Sequence, residues 1–244
     1  MPQIQSITNS EHLILPAKTN LEVSSQWFSV EYWQQQNAII GHSVGRNTTY
    51  FFRHKERNFV LRHYYRGGLI GKIARDGYFY LGLKKSRVYR EFALLEKLSD
   101  LGLAVPKPIA ARLKRKWPLY TADIIMQQIS AAQDLFHILK KRPIEAEIWQ
   151  NIGKTIAEFH LKGVYHADLN IHNIMLDEQG QTWLIDFDRG QIIDPKVSWQ
   201  QNNLKRLLKS FHKEKGKYPS LHWHFSNWQT LLLAYQSEIN RVLR

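Results

Sequence analysis

Two polar strings joined by a short hairpin pattern constrain the fold of this chain most strongly. The first, His-Ala-Asp-Leu-Asn-Ile-His-Asn, occupies residues 166–173, and the second, Ile-Asp-Phe-Asp, occupies residues 185–188. Between them, residues 174–176 are apolar, residues 177–180 have turn composition, and residues 181–185 form a second strand-like run. The sequence therefore predicts a β-hairpin that begins after one polar string and ends in the other.

Pairing across the turn decides which residues of this hairpin face each other. If Leu176 lies opposite Thr182, antiparallel continuation places Asn173 opposite Ile185. Asp186 then reaches the same end of the hairpin as Asn173. Directly opposed positions lie roughly 5 Å apart, which is close enough for an amide oxygen and a carboxylate to share one divalent cation.

The loop before the hairpin supplies a third functional group. Asp168 precedes the first strand, where its carboxylate can face solvent and an incoming hydroxyl group. The spacing resembles the His-x-Asp-x-x-x-x-Asn catalytic loop and the metal-binding Asp of the protein-kinase-like fold. By this resemblance Asp168 takes the acceptor's proton, Asn173 and Asp186 bind Mg²⁺, and His166 supports the loop. Each residue alone is more typical of a surface polar group, but their joint spacing favours catalysis.

The sequence departs from the usual protein-kinase pattern after Asp186. Asp188 stands where the Asp-Phe-Gly string has its glycine, which argues against a flipping activation loop and adds a possible second carboxylate for the metal. No Ala-Pro-Glu string follows, and little chain remains before Arg244. We therefore expect a compact C-terminal lobe that serves a small or lipid-linked acceptor rather than a protein.

Composition limits the cellular setting and the partners. The 244 residues include no Cys and carry a formal net charge of +13, with a pI near 9.8. Such a surface attracts polyanions, whether anionic lipid, nucleic acid or phosphorylated sugar, and composition alone does not choose among them. Without a signal sequence or a long apolar run, we expect a cytoplasmic protein whose membrane contact is peripheral.

The resemblance implies an α+β, bilobal protein-kinase-like fold. Residues 1–126 would form an N-terminal extension and an N-lobe with an antiparallel sheet and a helix. Residues 127–244 would form the compact, mostly helical C-lobe. The aromatic residues Trp27 and Trp33 predict an N-terminal helix that packs on the first lobe.

Nucleotide contacts are expected in the N-lobe and at its end. Residues 39–52 read as strand, turn and strand, and Gly41 and Gly45 would let this flap approach phosphates, although two glycines alone are more typical of an ordinary turn. Adenine would meet backbone groups near Gln127 and Ile129.

Arg62 falls where the kinase-like fold usually has a phosphate-pairing Lys. An Arg can pair bidentately with phosphate or carboxylate, so the role can survive the change, and Lys72 is an alternative. The expected partner of Arg62 is Glu91, at the start of a predicted helix over residues 89–101, with Glu96 as the second choice. An acidic residue in a first helical turn is also favourable without any such partner.

Basic residues concentrate between Arg62 and Arg90, and only one acidic residue, Asp76, interrupts them. Arg66, Lys72 and Arg75 are therefore candidate acceptor-binding residues. A solvated face on a basic protein explains the same concentration equally well.

Four strings together resemble the lipopolysaccharide kinase family. They are residues 45–51, 61–69, 105–111 and 166–173, and the similarity extends over residues 25–210. The resemblance implies ATP and Mg²⁺, and phosphorylation of the 4-hydroxyl of 3-deoxy-D-manno-octulosonic acid (Kdo) on a lipid A precursor. It further implies a peripheral protein at the cytoplasmic, anionic face of the bacterial inner membrane and no nucleic-acid partner.

Two other functions fit the same residues less well. A related kinase for heptose or another small molecule would retain the catalytic loop and differ only in its acceptor surface. A catalytically inactive module that binds anionic membranes or nucleic acid would retain the basic residues but lose the base or the metal ligands. The oligomeric state is left open.

Overall fold

The computed structural model describes residues 1–44, 48–65 and 76–242. The chain divides into two compact units, the first comprising Met1–Lys97 and Pro106–Gln128, and the second Leu98–Val105 and Ile129–Arg244. The segment Leu98–Val105 precedes the predicted boundary in sequence, yet it belongs to the second unit. Within the described ranges, no helix combines the length and the apolar character needed to cross a bilayer.

The first unit is built on an antiparallel sheet. Its strands are β1 (Gln3–Ser6), β2 (Glu11–Leu15), β3 (Ile39–Val44), β4 (Thr48–His54), β5 (Arg57–His63), β6 (Tyr78–Phe79), β7 (Pro108–Lys116) and β8 (Leu119–Gln127). Among the described residues they form one eight-stranded sheet in the order β1-β2-β7-β8-β5-β4-β3, and β6 also pairs with β8. Helix α1 (Val30–Gln35) follows β2, and helix α2 (Arg87–Asp100) follows β6.

Aromatic packing holds the N-terminal extension on this sheet. Trp33 of α1 stacks on Phe52 of β4 with ring centroids 4.2 Å apart, and Trp27 meets Trp33 edge-on at 5.2 Å. The side chain of Ser29 caps α1 by accepting a hydrogen bond from the N–H of Tyr32 (3.2 Å). The predicted N-terminal helix is thus part of the core and is not a free tail.

The second unit is mostly helical. Its helices are α3 (Leu135–Lys141), α4 (Ala146–Leu161), α5 (Val197–Lys217) and α6 (Phe225–Val242). Its short strands are β9 (Gln133–Asp134), β10 (Val164–Tyr165), β11 (Ile174–Leu176), β12 (Thr182–Leu184) and β13 (Gln191–Ile192). Strand β11 pairs with both β12 and β9, and β10 pairs with β13. The predicted α+β class is confirmed.

Helices α4 and α6 approach each other closely at a glycine. A Cβ atom on Gly153 would lie 2.2 Å from the carbonyl oxygen of Leu231, so no larger residue fits without moving the two backbones apart. The buried stripe of Ile152 and Ile156 flanks this contact. The close approach fixes α6 against α4, which ends shortly before the catalytic loop.

Candidate active site

The hairpin of the second unit has the predicted register. Leu176 lies opposite Thr182, and the pairing continues beyond the strands, because the N–H of Ile185 donates a hydrogen bond to the carbonyl oxygen of Asn173 (3.1 Å). The backbone of Asp186 therefore begins next to Asn173, at the open end of the hairpin. The sequence prediction for this part of the chain is confirmed.

Asp177 organises the turn that sets this register. Its carboxylate accepts hydrogen bonds from the backbone N–H groups of Gln179 (3.0 Å) and Gln181 (2.9 Å) and from the indole N–H of Trp183 (2.9 Å). Gly180 follows with φ +76°, a conformation that an L side chain rarely adopts. The turn is defined by local hydrogen bonds, which explains why its register could be predicted.

Asn173 and Asn170 together hold the backbone of the preceding loop. Their side-chain NH₂ groups both donate to the carbonyl oxygen of Asp168, at 2.9 Å and 2.8 Å. Asn173 is buried, and this bond turns its amide nitrogen toward the loop, which leaves the amide oxygen as its remaining acceptor. One side chain thus fixes the loop and still offers a hard oxygen ligand.

His166 is buried beneath the same loop as a neutral ring. The N–H of Asp168 donates to Nδ1 (3.1 Å), and Nε2 lies 2.9 Å from the carbonyl oxygen of Ile185. Nδ1 must therefore be unprotonated while Nε2 carries the hydrogen. Burial lowers the pKa of His166 and outweighs the neighbouring carbonyl and carboxylates, which raise it. His166 connects the loop to the second strand of the hairpin.

Asp186 has an unusual backbone conformation. Its φ is +63°, in the left-handed region that non-glycine residues seldom occupy. The next residue, Phe187, is fully buried; its ring stacks against Phe159 at 5.8 Å and contacts the His166 ring at a tilt, at 4.7 Å. The buried phenyl ring holds this turn in place, and Asp186 and Asp188 on either side of it are only partly buried.

Asp168 pairs with a residue that the sequence did not single out. The guanidinium of Arg206, in α5, donates two hydrogen bonds to Oδ1 of Asp168, one of them from Nε at 3.0 Å. Both side chains are about half exposed, 51% for Asp168 and 54% for Arg206. The carboxylate of the catalytic loop therefore faces solvent beside a permanent positive charge.

One face of α5 lies along the catalytic loop. The side chain of Asn203 accepts from the N–H of His166 (3.3 Å), and Ser210 Oγ accepts from the N–H of Ile171 (3.0 Å). One turn further, the Glu214 carboxylate lies 3.8 Å from Nε2 of His172. The spacing of these contacts follows the helical repeat, so the whole helix is a brace for the loop.

The first unit contains the predicted ion pair. The Nη2 atom of Arg62, in β5, donates to Oε1 of Glu91 in α2 (2.6 Å), and the Tyr64 hydroxyl donates to Oε2. The Glu91 side chain is 1% exposed. Burial and the Glu91 carboxylate raise the pKa of Tyr64 well above its ordinary value. Glu96 instead accepts from the N–H of Ala17, so Glu91 is the partner of Arg62.

The remaining predicted nucleotide residues lie on segments other than those of Arg62 and Glu91. Gly41 is in β3, and a Cβ atom there would make only an ordinary contact, 3.9 Å from Phe51. Gln127 ends β8, with its N–H donated to the carbonyl oxygen of Lys107 (2.9 Å), and the partly buried Ile129 begins the second unit's main segment. The predicted residues Gly45, Arg66, Lys72 and Arg75 lie outside the described residues.

Comparison with known proteins shows consistent relatives. The profile of the Lipopolysaccharide kinase (Kdo/WaaP) family matches residues 30–235. A Vibrio vulnificus strain YJ016 protein named 3-deoxy-D-manno-octulosonic acid kinase is 45% identical to this chain, over 86% of this chain and 89% of the relative. The Haemophilus influenzae strain PittEE protein of that name is 41% identical over 96% and 99%.

A solved structure is also similar, at a lower level. The co-crystal structure of WbdD and the kinase inhibitor LY294002 matches with a TM-score of 0.47 and 14% identity, covering 83% of this chain and 45% of that chain. The extent of the family match and the identity of the relatives are the stronger findings. The chain belongs to the Lipopolysaccharide kinase (Kdo/WaaP) family, a kinase family whose chemistry implies ATP as the phosphate donor.

Proposed function

We propose that this protein transfers the γ-phosphoryl group of ATP to the 4-hydroxyl of Kdo on a lipid A precursor, in lipopolysaccharide inner-core biosynthesis. The observation that carries the proposal is near full-length similarity, at 41–45% identity, to kinases named for that sugar acid. The hydrogen-bonded catalytic loop supports it, because an inactive relative would have no need to retain Asp168, Asn173 and Asp186 together.

Asp168 is proposed as the group that receives the acceptor's proton. The hydroxyl oxygen bonds to the γ-phosphorus, the bond from that phosphorus to the β,γ-bridging oxygen breaks to give ADP, and the hydroxyl proton passes to the carboxylate. Arg206 occupies Oδ1, and within the described residues Oδ2 has no hydrogen-bond partner, which suits the hydroxyl. Such proton transfer contributes typically 10²–10⁴-fold to a rate.

Asn173 and Asp186 are proposed to hold Mg²⁺. An amide oxygen and a carboxylate at the end of one hairpin are the hard oxygen donors that this ion prefers, with nucleotide phosphates and water completing its shell. Bound Mg²⁺ would neutralise charge on the transferring phosphates. The described residues contain no cluster of three or more His, Cys, Asp and Glu side chains suited to a metal. The donor set therefore fits an ion shared with the nucleotide better than a closed structural site.

Arg62 is proposed to contact the nucleotide phosphates, with Glu91 holding it in position. The guanidinium is 21% exposed while its carboxylate partner is buried. The ion pair with Glu91 fixes the position of the Arg62 side chain, which is partly exposed to an incoming anion. An Arg fork can thus do the work of the Lys usual in kinase-like folds.

The proposed acceptor is attached to a membrane, and one surface of the first unit suits an anionic bilayer. Leu81 and Trp117 are 73% and 81% exposed, with Lys84, Lys85 and Lys116 exposed beside them. The N–H of Tyr80 donates to the carbonyl oxygen of Pro118 (2.9 Å), which brings the two segments together. We call these five side chains the apolar–basic patch. Its composition supports a peripheral protein at the cytoplasmic face of the inner membrane.

The decisive experiment is incubation of the purified protein with ATP, Mg²⁺ and a Kdo-bearing lipid A precursor, followed by mass spectrometry of the lipid. We expect the wild type to add one phosphate and Asp168→Ala to add none. Turnover only on a heptose-bearing core would contradict the Kdo assignment and retain the kinase. The absence of turnover with any sugar acceptor would instead favour an anion-binding module.

A further inference from the structure

Helix α5 presents a row of positive charges beside the face that braces the catalytic loop. Arg206, Lys209 and Lys213 recur at intervals of three and four residues and are all exposed. This spacing places them on one side of the helix, and the seven residue steps from Arg206 to Lys213 span about 10 Å. We call these three residues the α5 cationic row.

The row carries positive charge without nearby compensation along its helix. Residues 197–213 contain no Asp or Glu. Glu214 is buried on the bracing face, where it bonds to Lys217 (3.1 Å) and lies near His172. An anion placed along the row would therefore meet three cationic side chains and no carboxylate from this helix.

The α5 cationic row begins at Arg206, which bonds to Asp168, the proposed acceptor of the hydroxyl proton. Arg206 places both of its donated bonds on one oxygen of Asp168 and does not form the parallel two-oxygen pairing typical of Arg and carboxylate. A guanidinium has five N–H donors, so three remain. Among the described residues, no other acceptor bonds to Arg206. It can therefore receive a second carboxylate within reach of Asp168.

We propose that Arg206 binds the carboxylate of the acceptor sugar, and that Lys209 and Lys213 receive further anionic groups of the same acceptor. This inference rests on the proposed function, since Kdo is a sugar acid and heptose is a neutral sugar. The acceptor carboxylate would bind the remaining N–H donors of Arg206, which places the sugar hydroxyl near Oδ2 of Asp168. A neutral sugar would offer these donors no carboxylate.

The alternative is a merely structural ion pair. Exposed ion pairs contribute little to stability, so a structural role predicts almost no effect of Arg206→Gln on any acceptor. A role only in orienting Asp168 predicts an equal loss on every acceptor. Binding of the acceptor carboxylate alone predicts a loss that depends on that group.

The test compares kcat/KM for a Kdo acceptor and for the same acceptor with its carboxylate converted to the methyl ester. For Arg206→Gln we expect about a 100-fold loss on the acid and less than about threefold on the ester, the size of a lost charge-assisted pair. Arg206→Lys should recover part of the activity on the acid. Lys205→Gln, an exposed neighbour outside the row, is the matched control.

A second arm examines the rest of the row. The double variant Lys209→Gln and Lys213→Gln should raise KM for the phosphorylated lipid acceptor at least tenfold and leave KM for free Kdo unchanged. Thermal unfolding of every variant should match the wild type. An unchanged KM for the lipid acceptor would overturn this half of the proposal.

The outcomes separate this inference from the function on which it rests. Equal losses on acid and ester, or no loss on either, would overturn the role of Arg206 while wild-type turnover of the Kdo acceptor still upheld the function. A wild type that phosphorylates only heptose-bearing acceptors would overturn both, because no acceptor carboxylate would then need recognition.

Discussion

The N–H of Asp168 donates a hydrogen bond to Nδ1 of His166, two residues before it (3.1 Å). The ring must stay neutral to accept this bond, and its other nitrogen faces the carbonyl oxygen of Ile185 (2.9 Å). The position of the proposed base is thus coupled to the protonation of a buried imidazole. Burial lowers the pKa of a second buried imidazole, His160, to about 4, and the neighbouring His166 acts in the same direction.

The first prediction concerns acid stability. Burial lowers the pKa of His160 from 6.5 to about 4, so between these values the unfolded chain binds a proton that the native state does not. Stability should therefore fall as pH drops below about 6.5, by roughly 3 kcal/mol between pH 7 and pH 4 from this group alone. Urea unfolding across that range measures the slope.

His160→Gln should flatten this pH dependence, even if it lowers stability at neutral pH by removing the contact with the Tyr235 hydroxyl (2.9 Å). The control is His222→Gln, because His222 is exposed and should not change the slope. If the free energy of unfolding fell with pH in the same way for His160→Gln and the wild type, the buried imidazole would not be the cause of the acid sensitivity.

The second prediction concerns the buried pair in the first unit. Glu91→Gln leaves the Arg62 guanidinium without its buried counter-charge, so we expect kcat/KM for ATP to fall about 100-fold and stability to fall by about 3 kcal/mol. Tyr64→Phe keeps the ion pair and removes the hydroxyl that donates to Glu91 and accepts from Arg62 (3.4 Å), so it should cost about 1.5 kcal/mol with activity nearly retained. Steady-state kinetics and urea unfolding report the two effects. Equal losses in the two variants would exclude a special role for the ion pair.

Sequence reasoning succeeded where local chemistry decides the structure. The pairing of Leu176 with Thr182 follows from a short apolar run and from a turn whose backbone N–H groups donate to the Asp177 carboxylate. The packing of Trp33 on the sheet was predicted in the same way, from the aromatic residues of a short helix. In each case the interacting residues are close in sequence or share one periodic pattern.

Sequence reasoning could not identify contacts that depend on how a helix packs against the rest of the protein. Arg206 reaches Asp168 across 38 residues, and only the packing of α5 on the catalytic loop decides which of its basic residues does so. The choice of Glu91 over Glu96 depends likewise on the rotation of α2 relative to β5. The sequence ranked Glu91 first and Glu96 second, but a helical wheel alone gives no absolute rotation.

The third prediction concerns Asp188, which we propose as a second carboxylate near the metal. Asp188→Ala should raise the Mg²⁺ concentration needed for half-maximal activity several-fold, because one hard ligand or ordered water contact is lost. Asp194→Ala is the control, since Asp194 is exposed and, among the described residues, accepts a bond only at its backbone carbonyl, from the indole N–H of Trp199 (2.9 Å). An unchanged Mg²⁺ titration for Asp188→Ala would remove Asp188 from the proposed site.

The fourth prediction concerns the contact between α4 and α6. In Gly153→Ala the new methyl group would meet the Leu231 carbonyl at 2.2 Å, so the helices must separate at a cost of about 2 kcal/mol. Gly216→Ala in α5 meets nothing within 4 Å and should stabilise the protein by up to about 1 kcal/mol through helix propensity. The same Gly-to-Ala change should therefore lower the thermal unfolding temperature at Gly153 and raise it at Gly216. A stabilised Gly153→Ala would mean that the two helices are not in close contact.

The fifth prediction concerns the apolar–basic patch. Binding to phosphatidylglycerol vesicles should weaken roughly fivefold for each basic residue removed, as in Lys84→Gln with Lys85→Gln, and roughly tenfold when Leu81→Gln removes an inserting side chain. Leu233→Gln is the matched control, because Leu233 is 67% exposed on α6 in the second unit. Vesicle sedimentation without ATP gives the readout, and phosphatidylcholine vesicles should bind little. Suppose that Leu81→Gln bound vesicles as tightly as the wild type but abolished a dimer that the wild type forms. The patch would then be a contact between copies of the chain and not a membrane surface.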